Sequence, residues 1–400
     1  MQMISSHSNQ QLQPNKRLRA VMEPVIPELS QLMAESPGTL SLAQGMVSWH
    51  PPANVYLELQ KALINPNQEI NRYGPVQGDP ALIEAIKQKL KHQNGLDLTE
   101  STVLVTAGSN MAFRAIAEVL CDPNDEVILP LPYYFNHVMA IQMAGGVPIP
   151  VDAGVIPDPE QIAAAITSRT RAVVTVSPNN PSGVVFPKTV LIAINELCAK
   201  NGLLHISDEA YEDFVLGDEP HWSPGAQPGA SNHTISLYSF SKGYGMAGWR
   251  LGYMAAPRCW QQALAKVQDT VLICPPRLLQ KAAVIALKDG PNWVQQQVRQ
   301  LRPRHQLMQE RFGEQKDRPW RFLHSPNGAF YGLLEVDCDL DGDSLMRQLI
   351  KRDRVATVGG RSFGFDRNRC VLRISVGMLE GEDLKQAFDR LEQGLATAVQ

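Results

Sequence analysis

Residues 234–256 read TISLYSFSKGYGMAGWRLGYMAA, a polar segment between two apolar runs. The runs, 234–238 and 251–255, are short and largely apolar, as buried strands are. Between them lie two cations, Lys242 and Arg250. A lysine is usually solvated, but one held in a partly desolvated site loses its proton readily and becomes nucleophilic toward an aldehyde. The segment therefore predicts a sheet with a reactive amine beyond the end of one strand.

Four further apolar runs precede this segment and alternate with helical patterns. Several of them are continuous rather than alternating in polarity, which is typical of central strands covered on both faces in a parallel α/β sheet. After the first run, residues 110–120 place Ala112, Ile116 and Leu120 on one helical stripe. The pattern predicts an α/β fold. The four predicted strands are Val103–Thr106, Glu126–Leu129, Ala172–Val176 and Leu203–Ser207.

Polar turns follow three of these strands, as one follows the strand at 234–238. Open α/β sheets build ligand sites at the carboxyl ends of their strands, so the turns are expected to meet. Gly108 permits a tight turn, after which Ser109 and Asn110 open a helix whose amides suit a phosphate. The prolines of the second turn fix the backbone and hold Asn180 in one orientation. In the third turn, Asp208 follows a buried strand, so its carboxylate needs a positively charged or hydrogen-bonding partner. Ordinary turns, with Ser109 or Asp208 as helix N-caps, are the alternatives.

The pattern changes near residues 290–300, where we expect a domain boundary. A long helix rich in Gln, Arg and Leu is predicted over 293–312. Short strands at 330–336 and 371–375 and helices at 343–352 and 381–396 follow. The N-terminal residues are expected to pack on this C-terminal part. We predict an arm with part of a small domain over 1–50, a large domain over 51–295 and a small domain over 296–400.

The composition argues against several classes of protein. A formal net charge of −3 offers no long-range attraction to nucleic acid or to an anionic membrane. The six cysteines are scattered without a C-x-x-C pair, and the nine histidines lack ligand spacing, so no metal site is predicted. No apolar run approaches the ~18–20 residues needed to cross a bilayer. We expect a cytoplasmic protein whose partners are small molecules.

The polar turns occur with further motifs in an order and spacing that resemble one family. Over residues 20–395 the sequence is similar to the class I aminotransferases of pyridoxal 5′-phosphate (PLP) fold type I, especially the plant-type aromatic and methionine aminotransferases. The resemblance implies a large domain with a mostly parallel central sheet and a smaller α+β domain. The matching motifs are Tyr73-Gly74 with Gly78, the Gly108 turn, Pro132-Tyr133-Tyr134, residues 180–183 (NPSG), Asp208-x-x-Tyr211, Ser239-x-x-Lys242, Arg250 and Leu372-Arg373-Ile374-Ser375.

The resemblance implies a role for each of these residues toward PLP. Lys242 would hold the cofactor as a Schiff base and shuttle the proton at the substrate Cα, while Asp208 would pair with the pyridinium nitrogen. Asn180 and Tyr211 would hydrogen-bond the phenolate oxygen, and Tyr134 would stack on the ring. Lys242, Asp208 and Tyr211 are thus the expected catalytic residues. The expected phosphate contacts are Gly108, Ser109, Asn110, Ser239, Arg250 and, from the neighbouring subunit of a homodimer, Tyr73.

On the substrate side, the resemblance implies that Arg373 clamps the α-carboxylate with Asn180 and the Gly45 backbone. Trp49 is expected to line the side-chain pocket, with a core aromatic as an equal alternative. Dicarboxylate-using relatives often carry a basic residue where this sequence has Asn110. We therefore expect an aromatic amino acid or methionine as the donor to a 2-oxo acid, in a ping-pong mechanism.

Other activities are compatible with the same motifs. An aspartate-type aminotransferase, or a PLP β-lyase or synthase of the same fold, would use the same cofactor residues. A PLP-sensing transcription regulator is not expected, because only ~20 residues precede the resemblance and the net charge is not basic. A lyase would turn over without an oxo acid and release ammonia, whereas a transaminase would stop after one half-reaction.

Overall fold

The computed structural model describes residues 13–65, 69–314 and 318–399. None of the helices in these ranges is both long and apolar enough to span a membrane. The helices are α1 Lys16–Ala20, α2 Val25–Ala34, α3 Ala53–Ile64, α4 Pro80–His92, α5 Ser109–Leu120, α6 Phe135–Ala144, α7 Pro159–Ala164, α8 Lys188–Asn201, α9 Gln261–Leu272, α10 Arg277–Phe312, α11 Gly342–Gln348 and α12 Gly381–Ala398. The strands are β1 Leu40–Ser41, β2 Ser101–Thr106, β3 Glu126–Pro130, β4 Val147–Val151, β5 Thr170–Val176, β6 Leu204–Asp208, β7 Thr234–Ser239, β8 Gly252–Pro257, β9 Trp320–Phe322, β10 Tyr331–Val336, β11 Val355–Ala356, β12 Val358–Gly359 and β13 Cys370–Ser375.

Seven strands form the central sheet in the order β2-β8-β7-β6-β5-β3-β4. Strand β8 runs antiparallel to both of its neighbours, and the other six strands are parallel to one another. Successive side chains enter different cores: Val127 and Leu129 pack with α5 and α6, whereas Ile128 packs with α7 and α8. This burial on both faces explains the continuous apolar runs. The α/β prediction is confirmed, and the six predicted strands agree to within two residues.

Strand β4 is absent from the predicted set, and its sequence explains why. Pro148 and Pro150 lack the N–H groups that a central strand needs for hydrogen bonding on both sides. The structure accommodates them because β4 lies at the edge of the sheet and pairs only with β3. Prolines inside a short apolar run thus concealed an edge strand.

The C-terminal part contains a second, antiparallel sheet in the order β12-β13-β10-β9, and β1 pairs with β11 beside it. The predicted start of the long helix at residue 293 is wrong, because α10 begins at Arg277. Gly290 has non-helical angles (φ 61°, ψ −152°) and kinks the helix before Pro291, so its two halves look separate in the sequence. The helix predicted over 343–352 ends at Gln348 and continues as a π-helical turn, Leu349–Asp353.

A seam of hydrogen bonds joins the two sheets at the turn that follows β5. The carbonyl oxygen of Gly183 accepts from the amides of Asn327 (2.9 Å) and Gly328 (2.7 Å), and the Asn327 side chain accepts from the amide of Val185 (2.7 Å). Gly183 has φ +72°, and a Cβ there would lie 2.0 Å from the carbonyl oxygen of Tyr331. Only glycine therefore allows this close approach between the turn and β10.

Candidate active site

The four polar turns predicted from the sequence meet around one cavity of about 130 Å³. Strands β2, β5, β6 and β7 are parallel, so their carboxyl ends lie at the same edge of the sheet. The predicted residues on the cavity wall are Ser109, Asn110, Tyr134, Asn180, Asp208, Tyr211, Ser239, Lys242 and Arg250. Gly108 caps the adjoining helix, while Gly45, Trp49, Tyr73 and Arg373 lie outside this wall.

One end of the cavity has the character of an anion site. Helix α5 begins at Ser109 with Gly108 as its N-cap, so Ser109 is not the cap, and no side chain of the described residues caps this end. Gly108 has φ +85°, and a Cβ there would lie 2.6 Å from Nη2 of Arg250. The Arg250 guanidinium donates to the carbonyls of Ala247 (2.8 Å) and Ala107 (3.4 Å). A free helix N-terminus beside a guanidinium suits a phosphate.

Lys242 extends from the loop after β7 and donates a hydrogen bond to the carbonyl oxygen of Gly45. Burial lowers the pKa of the Lys242 ammonium to about 8, and the positive charges of Arg373 and Arg250 act in the same direction. Asp208 opposes the shift. The neutral amine, the form that acts as a nucleophile or base, is therefore far more abundant near neutral pH than in an ordinary lysine.

Asp208 ends β6 and is only 5% exposed. Its Oδ1 accepts from the amide of Ala210 (3.1 Å), and its Oδ2 lies 3.1 Å from Nε2 of His137. The His137 ring is held in turn by stacking on Phe113, with 4.0 Å between centroids. The sequence analysis did not assign His137 to the site. Its position three residues after Tyr134 at the start of α6, on the same helical face, was the signal available.

A chain of buried hydrogen bonds links Tyr211 to Arg373. Asn180 donates to the Tyr211 hydroxyl (3.2 Å) and accepts from Nη1 of Arg373 (2.9 Å). The Tyr211 hydroxyl also lies 2.9 Å from the hydroxyl of Tyr331, which the sequence analysis missed. Burial raises the pKa of Tyr211 well above its usual range and that of Tyr331 to about 12. Both phenols thus keep their protons at neutral pH and can donate hydrogen bonds.

Arg373 has the environment of a group that awaits an anion. It is 2% exposed, and its Nη2 donates to the carbonyl of Ala43 (2.5 Å). Its guanidinium lies over the rings of Tyr331 (4.5 Å) and Phe363 (5.3 Å). Within the described ranges, Nε has no hydrogen-bond partner and no carboxylate forms an ion pair with the side chain. A buried cation with an unused donor is suited to a carboxylate ligand.

The ring of Tyr134 is anchored through its hydroxyl by uncharged groups. Asn136 donates to this hydroxyl (2.9 Å), and the Asn110 side chain also hydrogen-bonds it. Burial raises the pKa of Tyr134, so the phenol stays neutral. The side chains that contact the Tyr134 hydroxyl in this corner of the cavity, Asn110 and Asn136, are therefore uncharged amides.

Trp49 is held by contacts of its own beside Lys242. Its indole N–H donates to the carbonyl of Gly243 (3.1 Å), and its ring stacks on Phe214 with 6.0 Å between centroids. These contacts fix Trp49 next to the loop that carries Lys242. Tyr73, in contrast, is 78% exposed.

A buried polar cluster supports the segment that carries Asp208 and Tyr211. Glu209 accepts a hydrogen bond from Ser223, and its Oε2 lies 3.0 Å from Nε2 of His221. Ligand atoms of Glu209, Glu212 and His221 lie within 4.8 Å of one another. Glu212 is also paired with Lys89, whose pKa is raised despite burial because Glu212 stabilises its charge. These bonds anchor the turn behind the cavity.

The chain is similar over most of its length to enzymes of one kind. Residues 38–391 match the family described as aminotransferase class I and II. An aromatic aminotransferase of Arabidopsis thaliana is 33% identical over 386 residues, 93% of each chain. A probable aspartate/prephenate aminotransferase of Thermus aquaticus is 32% identical, covering 89% of this chain and 91% of its own. The structure of an aspartate aminotransferase from Thermus thermophilus superposes with a TM-score of 0.85 at 30% identity, covering 96% of this chain and 100% of its own.

Proposed function

The chain belongs to the class I and II aminotransferases and is a PLP-dependent transaminase, and from this premise we propose how it acts. It moves the amino group of an aromatic L-amino acid or methionine to a 2-oxo acid in a ping-pong mechanism, and Lys242 is the residue to which the cofactor attaches. The observation that carries the assignment is the single cavity where an amine, a carboxylate and an anion site meet.

The donor set of the cavity fits PLP. Bound PLP supplies an aldehyde that accepts the amino group and a ring that withdraws electrons from the substrate Cα. The buried carboxylate of Asp208 holds a proton on the ring nitrogen, and His137 orients that carboxylate. Tyr211 and Asn180 donate hydrogen bonds to the ring's phenolate oxygen. Tyr134 would lie against one face of the ring. The amides of Ser109 and Asn110 would hold the phosphate, with Gly108, Ser239 and Arg250 beside them.

Two side chains act directly on the substrate. Arg373 binds the α-carboxylate as a bidentate pair, and Asn180 and the Gly45 backbone assist it. Lys242 removes the proton from the substrate Cα and later returns one, because its lowered pKa leaves the amine free to accept it. Trp49 borders the space for the substrate side chain.

We also propose a homodimer with shared sites, in which Tyr73 contacts the phosphate in the neighbouring subunit. Exposed apolar side chains support the proposal: Ile64 is 77% exposed, Tyr73 78% and Ile273 43%. The amide of Gly74 donates to Sγ of Cys274 (3.2 Å), which brings two of these segments side by side. Such apolar surface is typical of protein interfaces.

Three domain assignments belong to the proposal. Residues 51–295 form the large domain, residues 296–400 the small domain, and residues 1–50 an arm that joins the small domain. The kink at Gly290 and the pairing of β1 with β11 support this division.

We propose a cytoplasmic location as well. All six cysteines are free, even Cys338 and Cys370, whose thiols hydrogen-bond, which is typical of a reducing compartment.

The preference for an apolar donor rests on the neutral corner formed by Asn110, Asn136 and Tyr134. A side-chain carboxylate placed there would lose hydration without gaining a cation, which is unfavourable. The alternative is an aspartate donor, which the activities of several relatives favour. We expect kcat/KM for phenylalanine, tyrosine and methionine to exceed that for aspartate by about tenfold or more, measured with one common oxo acid.

The variant Asn110→Lys tests this explanation, because it adds a cation at the neutral corner. We expect this change to raise kcat/KM for aspartate by about tenfold and to lower it for phenylalanine. Asn201→Lys serves as the control, because it adds the same charge at an exposed residue at the end of α8 that does not line the cavity. A wild-type preference for aspartate would refute the proposed donor class while leaving transaminase activity intact.

The lowered pKa of Lys242 predicts a pH dependence for cofactor capture by the cofactor-free protein. Only the neutral amine attacks an aldehyde, so the second-order rate of PLP attachment should rise as pH increases through about 8 and level off above it. Stopped-flow absorbance on mixing protein with PLP measures this rate. A profile that rises only near the usual lysine value, about 10.4, would contradict the buried environment of the amine.

A further inference from the structure

The loop that carries Tyr73 is fastened at both ends by one helix. This Tyr73 loop, residues 69–79, runs from a short 3₁₀ turn to the start of α4. Tyr73 itself is 78% exposed. Because an exposed loop is ordinarily mobile, its contacts with the rest of the protein decide where Tyr73 points.

Arg277, the first residue of α10, uses all three nitrogens of its guanidinium to join the ends of the Tyr73 loop. Its Nη1 and Nη2 donate to the backbone carbonyl (2.9 Å) and the carboxylate (3.2 Å) of Glu69. Its Nε donates to Oδ1 of Asp79 (3.1 Å). Since the side chains of Arg277 and Asp79 are only 15% and 11% exposed, water competes little for the bond between them.

Two neighbouring residues add to this attachment. Gln280, one turn further along α10, accepts from the amide of Asp79 (2.6 Å) and donates to the carbonyl of Pro275 (2.8 Å). Cys274 accepts from the amide of Gly74, next to Tyr73. The guanidinium contacts both ends of the loop, and a lysine ammonium could not reproduce its fork.

We propose that Arg277 is a positioning residue for the cofactor of the neighbouring subunit: it closes the Tyr73 loop and thereby aims the Tyr73 hydroxyl at the phosphate across the dimer. This inference rests on the proposed dimer and on the proposed contact of Tyr73. Without Arg277 the two ends of the loop are no longer joined, and the Tyr73 hydroxyl spends less time within hydrogen-bond distance of the phosphate in the neighbouring subunit.

The test is a double-mutant cycle on the rate at which the holoenzyme loses PLP after dilution, followed by the cofactor's absorbance. Y73F and R277Q should each accelerate release by about tenfold, the size of one hydrogen bond to a charged group. If Arg277 acts through Tyr73, the double variant should release PLP no faster than Y73F. R299Q, an identical change at an exposed arginine on the same helix, should leave release unchanged.

Each other result of the cycle has a distinct meaning. Multiplying effects in the double variant would show that Arg277 acts independently of Tyr73 and would overturn the inference. The same holds if Y73F releases PLP faster and R277Q does not. Wild-type release from Y73F would instead refute the proposed cross-subunit contact. If R277Q sediments as a monomer, E69Q, which weakens only one end of the attachment, takes its place in the cycle, and the same criteria apply.

Discussion

Replacement of Lys242 by alanine is expected to lower kcat by at least ~10⁴-fold while leaving the fold and PLP binding in place. The amine of Lys242 both attaches the cofactor and moves the substrate Cα proton in the proposed mechanism. Proton transfer by a positioned group alone contributes roughly 10²–10⁴-fold. Rapid mixing of the PLP-loaded variant with a saturating amino acid measures the half-reaction directly.

The stability of this variant separates loss of chemistry from loss of fold. Burial lowers the pKa of Lys242, so the folded protein disfavours the charged amine that the unfolded chain carries at neutral pH. Removing the lysine should therefore leave the melting temperature of the cofactor-free protein at neutral pH unchanged or higher. Lys385→Ala, at an exposed lysine paired with Glu382, is the control and should keep wild-type kcat. Substantial transamination by the Lys242 variant would rule out its proposed role.

Substitution of Asp208 by asparagine is expected to reduce kcat by roughly 10²- to 10⁴-fold. The amide matches the carboxylate in shape and can still accept from the amide of Ala210. It removes the negative charge that holds a proton on the ring nitrogen in the proposed mechanism. Losing one partner of a buried charge pair costs about 3–5 kcal/mol, which corresponds to this range of rates.

The control for Asp208 is Asp218→Asn, the same change at an exposed position in the following turn. Its kcat should equal that of the wild type. PLP absorbance in the Asp208 variant should shift with pH in a way that reports loss of the ring-nitrogen proton. If that variant kept more than about a third of wild-type kcat, the ring nitrogen would not depend on Asp208.

Local sequence patterns predicted the central sheet and the polar turns of the cavity wall because both depend on short segments, whereas Tyr134, Tyr211 and Ser239 followed from the family resemblance. Gly108, Asn180, Asp208 and Lys242 each follow an apolar run, and parallel strands bring such turns together without further information. Strand β4 was not predicted because prolines interrupt its apolar pattern. The early start of α10 escaped because its kink at Gly290 resembles a helix boundary.

The parts that could not be predicted depend on contacts between distant segments. Tyr331 reaches the site by pairing with Tyr211, 120 residues earlier, and Arg277 meets Asp79 across 198 residues. Neither residue lies in a turn after an apolar strand, so no local pattern distinguishes it from an ordinary tyrosine or surface arginine. His137 is intermediate, since its helical spacing from Tyr134 was visible but its partner Asp208 was not.

The seam at Gly183 has a consequence for the time at which the enzyme becomes able to hold its cofactor. During synthesis the turn with Asn180 leaves the ribosome well before Asn327 and Gly328, which complete its hydrogen bonds. Arg373, the partner of the Asn180 side chain, emerges later still. A nascent chain can therefore form the strands around Lys242 before the turn at Asn180 is fixed. The complete hydrogen-bonded surroundings of Asn180 therefore form only after the chain has been synthesised as far as Arg373.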